Sequence, residues 1–167
     1  MPRRTPTRAA RAAALIVLAT AAFASSAAAD SRPTRHDGAR PVTLVVQTNF
    51  DGQPGLVLRV GGAAAPDCAA GTVDDTAFSS DPPLDNVPPG VRRVRLIVGK
   101  TVHCASGDLM LTLRVVLDLW TGVTRGRFVV DAGTGLYRGV SGGGAITGDP
   151  FDGGIVDSYH GVIAWSE

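Results

Sequence analysis

The sequence predicts an all-β fold: one antiparallel domain of roughly eight strands closed into a barrel, with a β-sandwich as the alternative. Three observations predict it. Residues 108–120 alternate strictly, with Leu109, Leu111, Leu113, Val115, Leu117 and Leu119 on one face and Met110, Thr112, Arg114, Val116, Asp118 and Trp120 on the other. That period of two marks a strand with one face in a core. Turn signals recur between short apolar segments, and no segment has helical spacing. Finally, residues 126–148 read as a strand, a glycine-rich turn and a second strand that glycine lets bend. Gly139, Gly142, Gly143 and Gly144 stand where β-branched residues would be expected. Glycine inside strands permits the bends that closing a sheet requires, which favours the barrel.

In chain order the expected strands are 42–50, 56–60, 71–78, 91–103, 108–120, 127–131, 144–147 and 155–165. In the fourth, Val94, Leu96 and Val98 alternate with Arg93, Arg95 and Ile97, so one side is solvated. Asp51-Gly52, Pro82-Pro83, Pro88-Pro89-Gly90, Ser106-Gly107, Asp149-Pro150 and Asp152-Gly153-Gly154 separate the segments. Ser106-Gly107 between two alternating runs predicts a hairpin.

The first 29 residues stand apart. Arg3, Arg4, Arg8 and Arg11 precede the apolar run 12–24, and Ala27-Ala28-Ala29-Asp30 supplies small residues for cleavage between Ala29 and Asp30. This order is that of a secretory signal peptide, and the run is too short to span a bilayer. Arg3-Arg4 leaves general secretion and twin-arginine export both open. No cysteine follows the run to carry lipid. The expected organisation is a signal peptide at 1–29, a loose polar arm at 30–40 and a barrel at 41–167, giving a secreted protein without a membrane span.

Removing the four leader arginines from 16 basic residues leaves 12 against 15 acidic ones, a formal charge of −3. A mildly acidic chain without a basic run gives no reason to expect nucleic acid as a partner or an anionic membrane as a target. Lys100 is the only lysine and Glu167 the only glutamate. The two cysteines, Cys68 and Cys104, form the even pair of an exported protein and predict a disulfide. With no CxxC and with His36, His103 and His160 scattered, a metal or redox pair is not expected.

The motif Gly133-Thr134-Gly135-Leu136-Tyr137-Arg138-Gly139-Val140-Ser141-Gly142-Gly143-Gly144, following a strand, resembles the GTG-x-Y-x-G-x-x-G-x-G pattern of small secreted bacterial proteins related to the allene oxide cyclase and dirigent group. The likeness extends loosely to Cys68-x-x-Gly71-Thr72 and to Cys104 before the 107–113 strand. Within it, Gly133, Gly135, Tyr137, Gly139, Gly142 and Gly144 are the structural positions. It implies a calycin-like eight-stranded barrel, often with a central cavity, and a trimer as one possible homo-oligomer. No catalytic residue of the cyclases and no dirigent site residue can be placed on this chain.

Three motif matches fail on chemistry. Gly139-Val140-Ser141-Gly142-Gly143 fits G-x-S-x-G, but a nucleophile elbow needs a following helix, which three glycines cannot start. The glycine spacing fits no dinucleotide fingerprint. Asp149, Asp152 and Asp157 fit no calcium loop, and aspartate before proline or glycine is ordinary turn chemistry. No metal and no cofactor is therefore expected.

Two constellations stay open. Asp74, Asp75, Arg93, Arg95, Arg114 and Asp118 would orient a polar ligand if they faced the interior; the alternative is a solvated outer face. Of these, Arg93, Arg95, Arg114 and Asp118 are the candidate ligand-binding residues. In Asp157-Ser158-Tyr159-His160, Asp157 and Tyr159 share a face and His160 takes the other, so no triad forms there. The leading functional expectation is a non-catalytic barrel binding a small apolar or amphipathic ligand or a cell-envelope partner. The alternatives are a cyclase- or isomerase-type enzyme with its active site in the barrel, and a structural or assembly protein with a filled barrel. Large aliphatics favour a filled interior; inward polar groups would favour an enzyme.

Overall fold

The computed structural model describes residues 38–65 and 67–166. The expected signal peptide, its cleavage position and most of the arm lie outside these residues. Eight strands follow one another: β1 Arg40–Asn49, β2 Gly55–Gly62, β3 Thr72–Asp81, β4 Arg93–Cys104, β5 Gly107–Asp118, β6 Thr124–Gly133, β7 Val140–Phe151 and β8 Gly154–Trp165. Each pairs antiparallel with the next, and β8 returns to β1, so the sheet closes into a barrel. The barrel begins at Arg40, one residue before the expected boundary.

The largest departure from expectation is β7, which absorbs the glycine patch and Asp149-Pro150. Gly142, Gly143 and Gly144 pair with Ile163, Val162 and Gly161 on one side and with Val130, Val129 and Phe128 on the other. A glycine backbone bonds to its neighbours as well as any other, so the patch is strand, not turn. Pro150 opposes Ile155 at the hairpin end, where a missing N–H costs little. The turn itself is confined to 134–139, with a single 3-10 turn at Gly135–Tyr137.

Alternation sends one row of each strand inward. Val42, Leu44 and Val46, Val94, Leu96, Val98 and Val102, and Leu109, Leu111, Leu113 and Val115 are all buried. Phe128 and Tyr159 meet edge to face across the interior, 5.3 Å between ring centroids. The outer row of β5 holds Met110, Arg114 and Val116, all exposed. Aliphatic side chains inside and arginines outside invert the pattern of a membrane-spanning barrel. Among the described residues no helix is long and apolar enough to cross a membrane.

The seams are unequal. β4 and β5 pair from Arg93↔Asp118 to Cys104↔Gly107, whereas β2 and β3 pair only at Gly55↔Val73 and Leu56↔Thr72. β3 is thus displaced past the end of β2, and beyond Val73 one of its edges has no strand beside it. The aspartates Asp74, Asp75 and Asp81 and a bulge between Asp75 and Ala77 lie along this stretch, features that discourage edge-to-edge association.

The β1–β2, β3–β4, β5–β6 and β7–β8 connections form an upper end, and the remaining three form a lower end. At the lower end Cys68 and Cys104 are disulfide-bonded, and Tyr137 is buried with its hydroxyl 3.3 Å from Cys68 Sγ. Leu136 N–H donates to the Ser106 carbonyl at 2.9 Å, and Trp165 Nε1–H to the Leu136 carbonyl at 3.0 Å. Gly135 has φ of +55°, and a Cβ there would strike the Ser106 carbonyl. That close approach explains the glycine of the GTG-x-Y segment: it seats the β6–β7 loop on the β4–β5 hairpin. A buried disulfide fits an oxidising, extracellular environment.

Candidate functional site

Towards the upper end, the otherwise aliphatic interior holds a polar cluster built from four strands. Lys100 continues the inward row of β4 and is only 3% exposed. Its Nζ donates to Thr48 Oγ1 of β1 at 2.8 Å and to Asp75 Oδ1 of β3 at 2.5 Å. Asp157 Oδ2 of β8 lies 3.8 Å away. Register explains the meeting: Asp75 opposes Lys100, and the displacement of β3 and β4 lifts both to the level of Thr48. Because β2 no longer flanks β3 there, the Asp75 side chain is 41% exposed and is the point where the cluster meets solvent.

Electrostatics follow from burial. Desolvation pushes the Asp157 carboxyl up to about 6, with the Lys100 charge opposing the rise. Desolvation, then the Asp157 charge, drives the Tyr159 phenol well above its ordinary value. Tyr159 Oη is buried beside that carboxylate, and its hydrogen-bonding interaction with Asp157 adds to the rise. Thr124 closes the group from β6. Gly148 leaves it room, since a Cβ there would strike Thr124 Oγ1 and Asp157 Oδ1. The cluster thus presents one ammonium, two carboxyl groups and the buried hydroxyls of Thr48, Thr124 and Tyr159. Such a set can bind a polar head group or exchange a proton with it.

Around the upper end each connection exposes a large apolar side chain: Phe50 at 70%, Leu84 at 40%, Trp120 at 78% and Phe151 at 39%. The Arg92 guanidinium lies over the Trp120 ring at 4.5 Å from its centroid and pairs with Asp118 at 3.2 Å. Asp118 also accepts from the Trp120 and Thr121 N–H groups, which hold its carboxyl below the ordinary range.

Of the six Arg and Asp residues weighed for the interior, Asp75 alone joins the cluster; Asp157 and Tyr159, expected to share a face, are both in it. Arg93, Arg95 and Arg114 are exposed on the outer face, and Asp118 sits at the β5 end in its turn. Arg95 and Arg114 do come together, lining an outer groove of about 350 Å³ with Ser79, Asp81, Ile97 and Val116. Asp74 is outside as well, where His103 sits between two carboxylates, Nδ1 2.8 Å from Asp108 and Nε2 3.1 Å from Asp74. The hydrogen bond with Asp108, more than any other influence, raises the pKa of that imidazole. Ser141 lies near the start of β7, paired with Ala164 and exposed, not at an elbow. Asp157 is inside the barrel while Asp149 and Asp152 are exposed, so these three do not converge. Asp67 clusters with Cys68 and Cys104, but both sulfurs are committed to the disulfide.

Lys100 and Thr48 were missed. The available signal was the position of the only lysine, at the inward phase between Val98 and Val102. No family model, curated protein or solved structure matches the chain.

Proposed function

We propose that this protein is an exported, non-catalytic barrel that binds a small amphipathic molecule at its upper end. The polar group of the ligand meets Asp75, Lys100 and Asp157, and its apolar part meets the Phe50, Leu84, Trp120 and Phe151 side chains. The observation that carries this reading is the buried Lys100–Asp75–Asp157 ion cluster, which opens to solvent at Asp75. Charges held away from water are costly to a fold, a cost that a bound polar group offsets. Export is supported by the pattern of residues 3–30 and by the disulfide. The glycine motif supports kinship with the secreted allene oxide cyclase and dirigent-like barrels, whose enclosed cavities agree with a ligand.

One observation favours a second reading, a cyclase- or isomerase-type enzyme. A carboxyl titrating near 6 beside an ammonium and a phenol is suited to moving a proton at neutral pH.

The test is native mass spectrometry on protein recovered from the culture medium of its own host, with Tyr159→Phe and Lys100→Met in parallel. The reading expects a chain starting at Asp30 that carries a reproducible small molecule, retained less by both variants. A bare chain in every sample would overturn it in favour of a filled barrel acting through its outer surface. Conversion of the recovered molecule on incubation would establish the enzyme instead.

A further inference from the structure

The outer wall formed by β4, β5 and β6 carries half of the described chain's basic residues. Arg93 and Arg95 of β4, Arg114 of β5, and Arg125 and Arg127 of β6 all project outward and are exposed. Among the described residues none of the five has an ion pair. Arg114 and Arg127 are direct cross-strand partners, and like charges so placed destabilise a sheet. The described chain as a whole has 10 basic and 12 acidic residues, so this concentration of positive charge opposes the overall balance.

We infer that this wall is a binding surface for a linear polymer bearing a phosphate on each short repeat. Arginine presents a planar fork that grips phosphate oxygens in pairs, and five such forks exceed what one small anion can use. They recur at about 7 Å along a strand and about 5 Å between strands, a spacing set by sheet geometry. A chain of linked phosphates can meet them in succession. The groove beside Arg95 and Arg114, floored by Ile97 and Val116, gives the polymer a track. Nucleic acid is the poorer fit, because unpaired bases are held on aromatic platforms and the outward positions of these strands bear no Phe, Tyr or Trp. A bilayer is also poorer: of the bulky side chains on the upper connections, Trp120 alone sits between two strands of this wall, and the Arg92 guanidinium covers its ring. The inference stands independently of the interior cluster.

The experiment measures binding of fluorescently labelled long-chain polyphosphate to the mature, disulfide-bonded protein at pH 7 over a series of salt concentrations. Arg114→Thr and the Arg95→Thr/Arg114→Thr/Arg127→Thr triple variant are run in parallel. All three positions are exposed, and Arg114→Thr removes a repulsion, so it is expected to melt no lower than wild type. The expected result is binding that weakens steeply with salt, as counterion release requires, and at least a tenfold loss in the triple variant. Absence of binding, or equal binding by the triple variant, would overturn the proposal. So would tighter binding to single-stranded DNA, or to vesicles of equal phosphatidylglycerol and phosphatidylcholine, since either would assign the wall to a different partner.

Discussion

The two ends of the barrel are built on opposite principles. At the lower end polar groups find partners and only Leu136 among the large apolar side chains of the connections is exposed: the disulfide, Tyr137 and Trp165 lock the loops onto one another. The upper end inverts this, exposing Phe50, Trp120 and Phe151 while burying Lys100 and Asp157 beneath them. Folding alone rewards the first arrangement and penalises the second. The lower end therefore reads as the part that secures the fold, and the upper end as the part that spends stability on binding.

The sharpest way to break this contrast is Lys100→Met. Removing one partner of a buried ion pair costs about 3–5 kcal/mol, and the loss is expected to be full at pH 8. It should shrink below about pH 6, where Asp157 becomes neutral. Chemical denaturation at both pH values measures the difference. Breaking the lower end by Cys68→Ala with Cys104→Ala should cost about 3–4 kcal/mol, with no comparable dependence between those pH values. Gly148→Ala presses a methyl group against Thr124 and Asp157 and should cost about 1–3 kcal/mol as overpacking. Tyr159→Phe has the smallest expected effect on ligand-free protein, a loss of at most about 1.5 kcal/mol by chemical denaturation, because its hydroxyl interacts with Asp157 alone.

How much of this could be read from the sequence differs between the same two ends. The leucine row of β5, the disulfide and the hairpin at Ser106-Gly107 are local or pairwise signals, and they were legible. The glycine patch is legible as a place where a strand bends, but the strand expected at 144–147 runs from Val140 to Phe151, because composition does not reveal that a glycine backbone is paired on both sides. Asp157 and Tyr159 were seen to share a face, yet their partner Lys100 lies on β4 and meets them only across the barrel. Asp75 is among the candidates whose direction the sequence leaves open; the β3–β4 register, with a bulge that no residue pattern announces, sets it opposite Lys100, and the limited β2–β3 pairing leaves it exposed. Arg93, Arg95 and Arg114 stand among the sequence's candidates, but their union with Arg125 and Arg127 in one wall is hidden for a similar reason. Its members occupy alternate positions on three strands, so no run appears and the net charge has the opposite sign.

The central claim is that the upper interior holds a desolvated ion cluster. Burial raises the Asp157 carboxyl from 3.8 to about 6, so the folded chain holds that proton more tightly than the unfolded chain does. The stability this provides is complete below about pH 4 and is lost as the pH rises through about 6. The direct measurement is a carbon-13 NMR titration of the Asp157 carboxyl in ligand-free protein, assigned by comparison with Asp157→Asn. The account predicts a midpoint near pH 6, moving higher in Lys100→Met. A midpoint near 4 that Lys100→Met leaves unmoved would show a solvated carboxylate and contradict it.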